Sequence, residues 1–133
     1  MHIGSLLLAR HVRTETAVTL EGIYDEITAA SFPATIDEMC IWLRVFYAAA
    51  EVGAHPFELT IWDVSTGQQV GQTATQLSLP VRPERAHPSN DLTINLANAQ
   101  IPHPGEYEFR VNIGADASAA AWLTVTQRTD GAW

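Results

Sequence analysis

Lysine is absent. All seven basic residues of the 133-residue chain are arginines, set against fifteen carboxylates, for a formal net charge of −8. Nucleic-acid binding needs a clustered basic face, which this balance does not supply. Without lysine there is also neither a Schiff-base amine nor a phosphate-binding loop of the Walker type. Cys40 is the single cysteine, which excludes an intramolecular disulfide and a cysteine-based zinc cage. No apolar run approaches the roughly eighteen residues of a membrane span. The opening MHIGSLLLARHV has neither the basic leader nor the apolar length of a signal peptide. A reduced, cytoplasmic setting is the expectation, with no cofactor. Charged residues are scarce at 17%, whereas apolar residues reach 47%, the composition of a globular chain rather than a disordered one.

What is present is a period of two. In YEFRVNI, Tyr107, Phe109, Val111 and Ile113 alternate with Glu108, Arg110 and Asn112, a pattern that a helix cannot keep on one side. DLTINL, FELTI and AAAWLTVTQ alternate in the same way. Turn chemistry separates the runs. Asp63-Val-Ser-Thr-Gly67 reads as a hairpin loop whose glycine supplies a positive φ, Gly114 to Ala117 reads as a second, and the proline-rich stretch 80–90 as a longer crossover. Eight strands are predicted, at 2–10, 17–27, 38–48, 57–63, 68–79, 91–96, 106–113 and 118–127. The predicted fold is all-β, an immunoglobulin-like Greek-key β-sandwich. Residues 1–127 form one domain and 128–133 a frayed tail. The expected core includes Leu59, Ile61, Leu92, Ile94, Leu96, Phe109, Val111, Leu123 and Val125.

In PHPGEYEF, Gly105 and two prolines form a turn just before Tyr107. A turn, a tyrosine and then an alternating strand match the tyrosine corner of such sandwiches, in which the hydroxyl bonds back to the preceding connection. The expected acceptor lies between Ala97 and Pro104. LLLARHV with VTLEGIYDEIT, the hairpin LTIWDVSTGQQVGQ and the closing INLANAQIPHPGEYEFRVNIGADASAAAWLTV together resemble a family of small, single-domain bacterial β-sandwich proteins of unknown function. The resemblance covers roughly residues 2 to 126. Its motifs are structural, and it implies no catalytic residue.

Chemistry-bearing clusters are weak. Simple alternation of strand direction puts His11, His55 and His87 in loops at one end and His103 at the other. Three imidazoles can ligate zinc, but no HExxH spacing orients any pair, so solvated histidines and no metal are expected. Asp25 and Glu26 are adjacent and point to opposite faces of a strand, which does not make a catalytic pair. No serine sits in a Gly-x-Ser-x-Gly elbow.

MCIWLRVFY is apolar on both parities, although a sandwich strand has only one core face. Met39, Ile41, Leu43, Val45 and Tyr47 form one set, and Cys40, Trp42 and Phe46 the other, with Arg44 between. If strands 38–48, 57–63, 106–113 and 118–127 share a sheet, then Trp42, Phe46, Trp62 and Trp122 lie on its outer face beside Arg44 and Arg110. Aromatics and arginines are what protein interfaces enrich. The expected function is therefore a non-enzymatic interaction module, most simply a homodimer through this face. Carbohydrate binding on the three tryptophans is the alternative, and a metal-dependent hydrolase using the loop histidines a distant third. On this arrangement Trp42→Glu leaves a folded monomer.

Overall fold

The computed structural model describes residues 1–15 and 17–128. Its strands are β1 (His2–Thr14), β2 (Val18–Ile23), β3 (Glu26–Ala29), β4 (Ala34–Thr35), β5 (Cys40–Phe46), β6 (Gly53–Asp63), β7 (Gln69–Leu79), β8 (Ser89–Asn95), β9 (Gln100–Ile101), β10 (Gly105–Ile113) and β11 (Ala117–Gln127). They form a four-stranded sheet in the order β2-β1-β5-β8, a five-stranded sheet in the order β3-β11-β10-β6-β7, and a short β4-β9 pair. The chain crosses between the large sheets after β5 and again after β7, so that β8 returns beside β5. This is the Greek-key connectivity of an immunoglobulin-like sandwich.

The inward parity of each strand fills the space between the sheets. Ile41, Leu43 and Val45 of β5 face Leu59, Phe109, Val111 and Leu123 of the opposite sheet, and all are essentially inaccessible. Of the expected core, Leu59, Ile61, Leu96, Phe109, Val111, Leu123 and Val125 are buried. Leu92 and Ile94 are only partly covered, because β8 is an edge strand.

The strands depart from the predicted pattern in three ways that bear on the candidate residues. First, residues 17–27 are two strands. Tyr24 N–H still donates to Leu8 in the four-stranded sheet (2.8 Å), but the Asp25 carbonyl accepts from Thr124 in the other (2.9 Å). The chain changes sheets there, and β3 pairs in parallel with β11. Second, the extra pass reverses the direction of every later strand relative to simple alternation. His55 and His87 share one end, whereas His11, near Cys40, lies at the other with His103. Third, β5 belongs to the four-stranded sheet, between β1 and β8. Trp42, Arg44 and Phe46 therefore do not share a face with Trp62, Arg110 and Trp122. The change of sheet falls in the 3-10 turn Ala49–Glu51, between β5 and β6, where periodicity carries no signal.

The hairpin glycines behave as turn chemistry requires. Gly67 adopts φ +72° and closes the β6–β7 loop through its N–H to Asp63 O at 2.8 Å. The Tyr107 hydroxyl donates to the His103 carbonyl at 2.6 Å, inside the connection before β10. Its ring is fully buried, and burial raises the phenol, which keeps the hydroxyl protonated and donating. Tyr107→Phe should cost about 0.5–1.5 kcal/mol in urea denaturation, the net worth of one hydrogen bond. A midpoint unchanged within error would show that the corner contributes nothing. Arg128 N–H donates to Ala29 O (2.8 Å), so the β11–β3 edge continues one residue into the expected tail. Residues 129–133 lie outside the described residues.

Candidate functional site

The outer face of the five-stranded sheet is built by the even-numbered residues of β6, β10 and β11. Directly opposed residues of neighbouring strands point to the same side. The register places Glu108 opposite Trp62 on one side and Trp122 on the other. Arg110, one outward step along β10, faces Thr60 and Ala120. The two indoles are thus separated by two strand spacings, about 9–10 Å.

These side chains hold one another. Trp122 Nε1 donates to Glu108 Oε2 at 3.2 Å. The other Glu108 oxygen pairs with Arg110 Nε. The Arg110 guanidinium lies over the Trp62 ring, 4.6 Å from its centroid, in the cation–π position. Trp62 Nε1 donates to Thr60 Oγ1 at 2.8 Å, and Thr60 is buried although it points outward. The result is a braced row, Trp62–Arg110–Glu108–Trp122, in which the long side chains have already lost much of their rotamer freedom. Trp122 is nevertheless 59% exposed. Gln72, whose amide donates to Glu58 (3.2 Å), Asn112 and Thr124 complete a polar surround.

The outer face of the other sheet is closed by its own side chains. Trp42 is only 6% exposed, with Leu7 and Thr93 opposite it in register and Arg44 over its ring at 5.3 Å. Arg44 is fixed by Asp91 through Nε (2.8 Å) and Nη2 (3.0 Å). Phe46 stacks on His2 and leans over Gly4, where a Cβ would meet its ring at 2.5 Å. Cys40 lies on the same parity, and burial pushes its thiol up, away from the reactive thiolate.

The histidines are dispersed. His11 Nε2 lies 3.3 Å from Glu38, and His55 Nε2 meets the Glu51 carbonyl at 2.5 Å. Among the described residues no group of three or more His, Cys, Asp or Glu side chains is placed to hold a metal ion.

A charged cluster sits beside the tyrosine corner. Asp63 is 2% exposed, and its Oδ1 accepts from Ser65 N (3.0 Å) and Ser65 Oγ (2.8 Å). His103 Nε2 approaches Asp63 Oδ2 at 2.5 Å, and Nδ1 meets the Pro104 carbonyl at 2.8 Å. Burial pushes the Asp63 carboxyl up, but the Ser65 and Thr66 hydroxyls, the Ser65 N–H and His103 outweigh it and hold it below its ordinary 3.8. The Pro104 carbonyl, with Asp63 behind it, raises the His103 imidazole above its ordinary 6.5 against the opposing effect of burial. The signs of the two linkages differ. The Asp63 contribution is present above its unfolded value and is lost as pH falls through the lowered folded value. The His103 contribution is full below its unfolded value and is lost as pH rises through the raised folded value. Melting temperature should therefore be highest in the mildly acidic range between 3.8 and 6.5. His103→Asn should flatten the fall on the neutral side, and identical profiles for wild type and variant would remove the pair from the account.

Comparison with known proteins bears on the fold and the family. A family profile matches residues 5–126. The chain belongs to DUF6941, a family of unknown function. No curated protein matches it. Among solved structures, a β-glucosidase from Listeria innocua in complex with isofagomine aligns with 92% of this DUF6941 chain at 11% identity and a TM-score of 0.53. The same enzyme with gluconolactone gives 12% identity and 0.52. The chain spans 16% of the length of those proteins, so the likeness is one of fold. No helix among the described residues of this DUF6941 chain is long and apolar enough to cross a membrane. Sequence reasoning about it missed Asp63 as a charge-pair partner, although Asp63-Val-Ser65 carries the Asx-turn signature. It also passed over Arg82 and Arg85, two of the seven arginines, within one proline-rich crossover.

Proposed function

We propose that the chain is a non-enzymatic interaction module that binds through the outer face of its five-stranded sheet, most simply to a second copy of itself. The observation that carries this reading is Trp122, more than half exposed yet held in a fixed pose by Glu108. A rigid aromatic loses little entropy on binding, and such residues are the common hot spots of interfaces. Trp62 and Trp122 would form the centre, each able to bury about 150–250 Å². Gln72, Asn112 and Thr124 would form the rim. A two-fold contact lets one patch meet itself, with Arg110 of one copy reaching Glu58 or Glu108 of the other. Light scattering on Trp122→Glu tests the reading. The wild type should show twice the 14.5 kDa chain mass and the variant a folded monomer, and a variant that still dimerises contradicts it.

A second reading, a carbohydrate platform, is favoured by the polar surround of the tryptophan pair. Two indoles flanking a carboxylate on a flat sheet offer stacking faces with hydrogen-bonding groups between them. Retarded migration of the wild type but not of Trp122→Ala in gels containing soluble polysaccharide would support it, and equal migration of the two would count against it.

A further inference from the structure

At the end of the sandwich that carries His2 and the start of β6, a groove of about 860 Å³ opens between the 3-10 turn and the 80–88 crossover. That volume lies within the range of small-molecule sites, about 300–1,000 Å³. The crossover is tied down on both sides. The Tyr47 hydroxyl donates to the Pro80 carbonyl (2.5 Å), Tyr47 N–H donates to the Pro88 carbonyl (3.1 Å), and the Asn90 amide donates to Ser78 O (2.9 Å). The wall between these ties is therefore preformed.

The lining pairs an apolar floor with cationic side chains. Phe46, Val52, Val81 and Pro83 supply the first, and Arg82 and Arg85 the second. On a chain of net charge −8, this concentration of arginine is local and specific. Glu51, the carboxylate in the lining, is already engaged, accepting from Ala48 N–H (2.8 Å) and from the Met1 amine (3.0 Å). Arg82 Nε is shielded from solvent and finds no acceptor among the described residues. The rest of Arg82 is only partly covered and lines the groove, so an anionic oxygen entering the groove would meet its guanidinium in a charge-assisted hydrogen bond. Arg85, whose Nε is 4.0 Å from Glu84, adds a second positive charge at the same wall.

We propose that this groove binds a small amphipathic carboxylate, with its hydrocarbon body on the apolar floor and its carboxylate on Arg82. The site lies apart from Trp62 and Trp122 and does not depend on how they are used.

Titration calorimetry with decanoate, and with decanol as the uncharged counterpart, tests the assignment. Decanoate should bind at a single site, at least about tenfold more tightly than decanol, because a charge-assisted hydrogen bond adds on this order. Arg82→Gln should bring decanoate down to the level of decanol, while Arg13→Gln, which removes an exposed arginine away from the groove, leaves it unchanged. Equal binding of decanoate and decanol, no binding of either, or full affinity in folded Arg82→Gln overturns the proposal. Should Arg82→Gln fail to fold, Ala86→Trp fills the groove from its exposed crossover. Lost decanoate binding in that variant supports the site, and retained binding refutes it.

Discussion

Trp42→Glu should leave no stably folded protein. Trp42 is 6% exposed on the outer side of β5, under the Arg44 guanidinium and beside Leu7 in register. Removing a buried Trp side chain alone costs about 3–5 kcal/mol. Glutamate adds a desolvated carboxylate close to Asp91, which already occupies Arg44 in a bidentate pair. A buried carboxylate without a partner costs several kcal/mol more, or must take up a proton. Together these approach the whole stability of a domain, about 5–15 kcal/mol. Circular dichroism should show loss of the cooperative thermal transition at neutral pH. A melt within a few degrees of the wild type would mean that the outer side of β5 is open to solvent and that the four-stranded sheet is a second candidate surface.

Phe109→Ala should cost about 3–5 kcal/mol. The ring has no exposed surface and lies on β10, the central strand of the five, opposite Ile61 and Ala121. Its neighbours Leu59, Val111 and Leu123 are held by sheet hydrogen bonds and cannot collapse into the space left behind, so the cavity penalty is close to full. Urea denaturation should show a lower midpoint with an unchanged slope. A loss below about 1 kcal/mol would show that the packing between the sheets is loose at its centre.

Strand parity was legible because alternation is enforced wherever one face is dry. Tyr107, Phe109 and Val111 announce the core side of β10 and thereby place Glu108 and Arg110 outside. The Gly67 and Gly114 hairpins were legible because positive φ selects glycine. The assignment of β5 to a sheet was not legible. Its two apolar faces looked like an exposed patch, but Arg44 and Asp91 cover the second face, and a long ionic pair spanning two strands leaves no periodic mark. The separation of β2 from β3 was hidden for a related reason. The change of sheet at Tyr24–Asp25 is made by two backbone hydrogen bonds, which any residue can provide. Half of the candidate surface, Trp62, Arg110 and Trp122, therefore followed from the sequence, while Trp42, Arg44 and Phe46 were assigned to it only through the wrong sheet. The Glu108 brace was visible as an outward glutamate, but its contacts with both Trp122 and Arg110 depend on the register of three strands.

We propose as the binding face the outer side of the five-stranded sheet, and not that of the four-stranded one. The indole N–H resonances of Trp62, Trp122 and Trp42, assigned by substitution and followed by NMR across a dilution series from millimolar to micromolar, test it most directly. Binding through that face should give concentration-dependent shifts for Trp122 and Trp62 that saturate together, with Trp42 unmoved. Resonances that all stay fixed over that range, or a shift confined to Trp42, would contradict it.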